Sequence, residues 1–492
     1  MASKHEELHT KKLNNSAPDT KPLAEKGLDK KESRDYAAEK YEQSHKLFIS
    51  YHPWQLFCIA AVPGALSMLS SAIYEIADGI FVGQILGEEA FAAINLAMPF
   101  VIMLFAFGDM VGVGSSVPIS ISLGAKKRDR ANNIFTCAVL MILVGASVIG
   151  ALFWVLAPWM MELMGATGSL RDMASDYLRM FALFAPFGTI LFAVDNYLRI
   201  CGKVKSSFAL NLFTSTFGCI LEFTMLSIFR MGTLGAGLAF SIAISTGACL
   251  ALIPFMMNKM LLRFVRPRIS KAIIKEIMLS GTPAFLNDVA GRITLILLNY
   301  ELMVQAGVRA VSVYGFLIFA GSFIFPLLYG ICDALQPAVG YNWGAKRYDR
   351  IRQLERYIFA TVGFVSLLMA AIMGFFPDFC TRIFIADAGE EILLLSRDAF
   401  CLYALSFAFR WFPLCVQSLF TAVEKTKLAS TLSFCSTTIL PILVLFALKP
   451  LGLFGLWLNA PVTWALASAL SLVILVMFRK ELHLDGVSAR TR

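Results

Sequence analysis

LGAKKRDR at Leu123–Arg130 and WGAKRYDR at Trp343–Arg350 are two versions of one octapeptide, 220 positions apart in a chain of 492 residues. The same offset pairs Pro63 with Pro283, Gly87 with Gly307, Ala90 with Ala310 and Gly235 with Gly455. Each octapeptide is a burst of positive charge that closes a long apolar run. A chain that repeats itself over half its length in such a setting reads as two related helical bundles facing one another. Many secondary transporters have this layout, with the site between the halves.

The composition places the chain in a membrane. Hydrophobic residues make up 58% and charged residues only 16%, with a mean hydropathy of +0.69, which excludes an ordinary soluble domain. Apolar runs of the length a bilayer requires predict twelve spans. They lie near 54–86, 90–122, 132–158, 173–201, 204–229, 234–258, 273–303, 309–342, 352–377, 392–423, 427–448 and 452–478. The longest of these exceed a perpendicular crossing, so tilt or kinks are expected.

Charge sets the orientation. Basic residues gather in alternate connections, as at Lys126–Arg130, Lys259–Lys275, Lys346–Arg356 and Lys425–Lys427, and the intervening connections hold few. The positive-inside rule then puts the basic loops and both termini in the cytoplasm. The net charge of +9 follows from this topology and from anionic lipid head groups, and calls for no nucleic acid. Six spans per half is an even number, so the halves are parallel repeats about an axis along the membrane normal.

The expected organisation is therefore an arm over 1–50, an N-lobe over 51–260, a loop over 261–275, a C-lobe over 276–480 and a tail over 481–492. The arm is polar, lacks the apolar core of a signal peptide and reads as a disordered cytoplasmic extension. Ten cysteines are scattered singly as small packing residues. All five histidines lie outside the spans, so no metal cluster or histidine-based catalytic centre can be assembled at membrane depth. That weighs against an embedded enzyme.

Ionisable groups inside spans cost about 2.5–3.5 kcal/mol each near a helix centre and so need a reason. In the first half these are Glu75, Asp78, Asp109, Asp195 and Glu222; in the second, Asp288, Arg292, Glu301, Asp333 and Arg410. Glu75 and Asp78 are three apart and share a helix face. Two carboxylates close together in a poorly solvated site cannot both ionise easily, so they can hold a proton or bind Na⁺. Pro63, with Gly79 and Gly83 beyond it, lets this first helix bend, and Pro283 repeats the device in the seventh. Glu222 stands mid-span with no basic residue within a turn. Asp288 and Arg292, like Asp195 and Arg199, are four apart and read as intrahelical ion pairs.

At these residues the chain resembles the multidrug and toxic compound extrusion (MATE) family, particularly its MepA-like bacterial branch. The resemblance rests on YEIADGIFVGQILG (Tyr74–Gly87), AFAAINLAMP (Ala90–Pro99), GTPAFLND (Gly281–Asp288) and QPAVGYNWGAKRYDR (Gln336–Arg350). It runs over about residues 50 to 480. It implies an all-α polytopic protein whose twelve transmembrane helices form two parallel-repeat six-helix lobes around a V-shaped central cavity. It also implies export of lipophilic, often cationic compounds, driven by an H⁺ or Na⁺ gradient.

By that resemblance Asp78 is the central cation-coupling carboxylate, with Glu222 and Glu75 assisting. The family's fifth-helix Asn and Asp correspond here to Gly218 and Glu222. Losing the amide and gaining an acid at Glu75 favour H⁺ over Na⁺. Asp288, Asn287, Asn95 and Asp195 are the candidates to line the substrate cavity. No cofactor is expected beyond the coupling ion, and the partners are small lipophilic or cationic substrates and membrane lipids, with the protein a monomer. The alternative is a flippase for a lipid-linked saccharide precursor, or an exporter of one metabolite. Such flippases often have fourteen spans and cationic cavities.

Overall fold

In the computed structural model the described residues are 39, 41–384 and 390–482. Twelve long helical segments account for nearly all of them, because backbone groups in hydrocarbon must bond within their own segment. They are α1 (Pro53–Leu86), α2 (Glu88–Gly124), α3 (Arg128–Leu163), α4 (Gly168–Ile200), α5 (Val204–Ile228) and α6 (Gly232–Met256). Lys271–Gly344 is continuous except at Gly307, which divides it into α7 (271–306) and α8 (308–344). Then come α9 (Tyr348–Phe375), a short helix Pro377–Phe384, α10 (Glu390–Ala422), α11 (426–448) and α12 (Gly452–Phe478).

The sequence repeat is a backbone repeat. Gly87 (φ 86°, ψ −175°) and Gly307 (φ 72°, ψ −168°) turn the chain between paired helices, in a conformation essentially reserved for glycine. Lys126 (φ 62°) and Lys346 (φ 57°) are both left-handed, as are Gly232 (φ 61°) and Gly452 (φ 62°). The two lysines end α2 and α8 with the same pair of reverse bonds. The next residue's amide, of Lys127 or Arg347, reaches back to Ser122 or Asn342, and the lysine's own amide to Leu123 or Trp343. Left-handed caps of this type satisfy carbonyls the helix leaves open, and the cations beside them complement the helix dipole.

The two halves meet on the side that carries the basic loops. A Cβ on Gly124 would lie 2.0 Å from the Tyr341 carbonyl oxygen, and one on Gly344 2.0 Å from that of Ile121. These are the same contact seen from each lobe, since 121 and 341 also differ by 220. Farther along, Gly114 of α2 lies against Ile277 and Gly281 of α7, and Gly64 of α1 against Gly330 and Ala334 of α8. Glycines and alanines at these crossings let backbones touch, which is how helices associate where lipid supplies no hydrophobic drive. One buried cluster runs through both halves, and a second, around Val82, Ala93, Leu104 and Phe181, belongs to the first half alone.

The chain between α6 and α7 is pinned along α3. Asn132, Thr136 and Asn133 accept from the amides of Arg263, Val265 and Arg268 at 3.1, 3.1 and 2.7 Å. The arm expected to be disordered over 1–50 departs from that expectation at its end. Residues 41–50 are helical and packed, with Tyr41, Ser44 and Phe48 buried at positions i, i+3 and i+7. Residues 1–38, and most of the tail (483–492), lie outside the described residues.

This strap joins both halves. Tyr41 donates to the Leu123 carbonyl (3.2 Å) beneath the Arg128 guanidinium, and Ser44 donates to that of Ile200 (3.4 Å). On the other side His45 Nδ1 meets the Tyr341 hydroxyl at 2.9 Å, and Phe48 stacks on the Tyr341 ring. Asn342 and Arg350 donate to the Phe48 carbonyl at 3.2 and 3.1 Å.

Candidate functional site

Asp78 and Glu222 come together inside the first half. Asp78 stands near the C-terminal end of α1, one turn before the π-helical residues Val82–Leu86, and Glu222 is fully buried on α5. Tyr74, one turn before Asp78 on the same face, donates its hydroxyl to Glu222 Oε2 at 3.0 Å. Its ring stacks on Phe240 of α6, with centroids 4.7 Å apart. The other oxygen, Glu222 Oε1, is buried without a donor, while the Asp78 and Glu222 carboxyls lie within hydrogen-bonding reach of each other. Two carboxyl groups hold such a contact only through a proton or another cation between them. Tyr177 of α4, also buried, is the next polar group of the cluster.

Tyr74 is the member that sequence reasoning missed. It reaches Glu222 because residue 218, where the resemblance places an asparagine, is glycine. A Cβ there would come within 2.9 Å of the Tyr74 ring. The available signal was the Tyr74–Asp78 spacing of four, which put the ring on the same helix face as Asp78.

Glu75 does not join the pair. It is exposed, on the side of α1 that faces the other lobe, where its electrostatic neighbours are Arg292 and Asp78. Successive i, i+3 positions on a helix diverge by about 60°, enough here to turn Asp78 inward and Glu75 outward. The ion pair expected between Asp288 and Arg292 is absent among the described residues; Arg292 sits electrostatically between Asp288 and Glu75.

A second group of acids lies between the halves. Asp109 of α2 has Asp288, Asp333, Arg199 and Asp195 as its charged neighbours. Asp333 accepts from Gln336 at 2.9 Å. Asp195 is committed to structure. It pairs with buried Arg199 at 2.5 Å and accepts from Ser207 and Asn211. Asn287 accepts from Ser433 at 2.7 Å, within the second half. Asn95 is exposed and spends its amide on the Phe91 carbonyl, apart from these groups. Glu301 pairs with Lys449 at 2.8 Å.

The expected hinges have distinct settings. The Pro63 and Pro283 carbonyls accept from Ser67 (2.8 Å) and Ser433 (3.0 Å). Gly83 falls inside the π-helical turn, and Gly79 meets only the Phe91 ring. Widened turns of this kind concentrate at functional positions in helices.

Comparison with known proteins agrees with this architecture. The MatE family model matches residues 63–224 and 294–446. Multidrug export protein MepA of Staphylococcus aureus (strain NCTC 8325 / PS 47) is 23% identical over 435 residues, covering 86% of this chain and 94% of that protein. The MepA of Staphylococcus haemolyticus is 23% identical over 431 residues, 87% and 94% of the two chains. Among solved structures, an outward-facing multidrug resistance MATE transporter of the MOP superfamily superposes with a TM-score of 0.84 at 18% identity, covering 89% of this chain and 98% of that one. A MATE in complex with MaD3S gives 0.84 at 18% identity, covering 89% and 99%.

Proposed function

This chain belongs to the MatE family, and from that premise we propose that it is a cation-coupled antiporter that exports lipophilic, often cationic compounds by alternating access. The observation that carries this reading is the Asp78–Glu222 pair with its Tyr74 donor. The cluster is a buried, donor-poor carboxyl site on the helix that carries Pro63 and the π-helical turn.

A proton bridging the two carboxyls ties α1 to α5. Its loss leaves two buried negative charges in contact, a state relieved by moving α1 or by admitting a cationic substrate. Proton and drug therefore favour different states, which is the thermodynamic requirement for exchange. H⁺ is preferred over Na⁺ as the coupling ion because Gly218 supplies no amide oxygen to a Na⁺ site.

In the state seen here the glycine crossings and the strap seal the side with the basic loops, which we assign to the cytoplasm of a bacterial inner membrane. On this reading the state is outward-facing, with Glu75, exposed on α1 and electrostatically beside Arg292 of the second half, reached from the opposite side. Inward opening must part Gly124 from Tyr341 and Gly344 from Ile121, and release Phe48 from Tyr341.

The test is efflux of ethidium from proteoliposomes under separate H⁺ and Na⁺ gradients, comparing wild type with Asp78→Asn and Glu222→Gln. The reading expects an H⁺ gradient to drive wild-type efflux, with a loss of tenfold or more in each variant. Wild-type efflux driven by Na⁺ alone, or unaffected by both substitutions, would refute it.

A further inference from the structure

We infer that a recess around Arg410 in the second half is an anion-accepting subsite, which takes the carboxylate of an amphipathic transport substrate. Arg410 stands on α10 about 18 Å along the helix from its basic-side end at Ala422. A guanidinium at such depth is costly and is ordinarily paired. None of the ion pairs or hydrogen bonds among the described residues involves it. Instead its guanidinium lies 3.6 Å from the centroid of the Phe325 ring on α8 and 4.5 Å from that of the Trp464 ring on α12.

Aromatic faces hold the charge by its flat surface and leave the N–H donors at its edge free. None of those nitrogens is among the sealed, unsatisfied atoms of the interior, so they remain open to the recess. The recess is lined by Asn287, Tyr329, Gln417, Ser436 and Thr437 together with Arg410 and Trp464. The Ser436 and Thr437 hydroxyls donate to the Ser433 carbonyl, so the amides of Asn287 and Gln417 and the Tyr329 hydroxyl, beside the fixed guanidinium fork, form the donor set that a carboxylate requires.

The repeat sharpens the assignment. The position 220 residues before Arg410 is Ile190, so the cation belongs to the second half alone. The carboxylate pair Asp78–Glu222 belongs to the first. A site built this way accepts cationic groups in one lobe and anionic groups in the other. The substrate range then includes carboxylate-bearing, zwitterionic amphiphiles as well as cations.

The inference rests on the export reading, but its test does not need transport. Binding of tetramethylrhodamine, which bears a free carboxylate, and of its methyl ester is measured by fluorescence anisotropy on the full-length protein in phosphatidylcholine nanodiscs. Wild type is expected to bind the carboxylate form, and Arg410→Met to lower the carboxylate-to-ester affinity ratio about tenfold, the scale of one charge-assisted bond. Arg410→Lys keeps the charge without the fork and should fall between them.

An unchanged ratio in Arg410→Met, or no binding of the carboxylate form to wild type, would overturn the assignment. So would an Arg410→Met protein that loses thermal stabilisation by added phosphatidylglycerol at constant dye ratio, since Arg410 would then hold a lipid head group. Failure of the ethidium assay with an Arg410-dependent ratio intact would count against the antiport reading alone.

Discussion

Tyr74 and Gly218 share one space between α1 and α5. A β-carbon on residue 218 would fall 2.9 Å from the tyrosine ring, whose hydroxyl is the donor to Glu222. The absence of one side chain thus fixes the partner of a carboxylate one turn away.

Replacing Tyr74 by Phe should therefore take from Glu222 Oε2 its tyrosine donor. Burial of an unsatisfied polar group costs about 1–3 kcal/mol. Thermal unfolding in detergent should show that loss, and ethidium efflux should slow. Gly218→Asn should produce the same defect by displacing the ring. Wild-type efflux in Tyr74→Phe would show that the hydroxyl plays no part.

Gly344→Val should hold the halves apart on the basic side, because its Cβ would already sit 2.0 Å from the Ile121 carbonyl oxygen. Nitroxide labels at Asp129→Cys and Asp349→Cys, which are repeat partners, should report a longer distance than in the parent. An unchanged distance distribution would mean that this crossing does not set the closed state.

The strap should loosen in acid. Burial, with Lys126 and Arg347 adding to it, holds the His45 imidazole below its ordinary value of 6.5. A histidine with a lowered value favours the docked strap in its neutral form. Docking is thus fully favoured above 6.5 and is lost as pH falls from there through the docked value. Hydrogen exchange of residues 41–51 should rise between pH 7.5 and 5.5 in wild type and change far less in His45→Gln.

Glu424, in the turn after α10, should act in the opposite sense. Burial and the neighbouring Glu276 push its carboxyl from 4.5 up to about 7, against the pull of Arg130. The contact is strongest with Glu424 protonated, weakens as pH rises from 4.5 toward 7, and is level beyond. Arg130 and Glu276 form an ion pair that joins α3 to α7. The label distance described above, measured against pH, should lose this component in Glu424→Gln.

The architecture was legible because bilayer physics writes it plainly. Apolar runs, alternating basic loops and a 220-residue echo each follow from a single strong constraint. Asp78 and Glu222 were legible for a related reason, since a carboxylate in an apolar run stands out wherever it points. What escaped depended on direction. Nothing local turns Glu75 away from Asp78 or brings Tyr74 onto a residue 148 positions later. The aromatic clasp on Arg410 is assembled from three helices. The strap was masked by the polar chain before it, although Tyr41, Ser44 and Phe48 carry a helical period.

Because Gly87 and Gly307, Lys126 and Lys346, and Gly232 and Gly452 adopt matching backbone shapes, the molecule carries its own controls. The same substitution made at either twin perturbs one local geometry in two different surroundings. Any difference between the outcomes then measures what each lobe contributes beyond that geometry. An experimenter can separate turn chemistry from transport chemistry within a single polypeptide, without a second protein as reference.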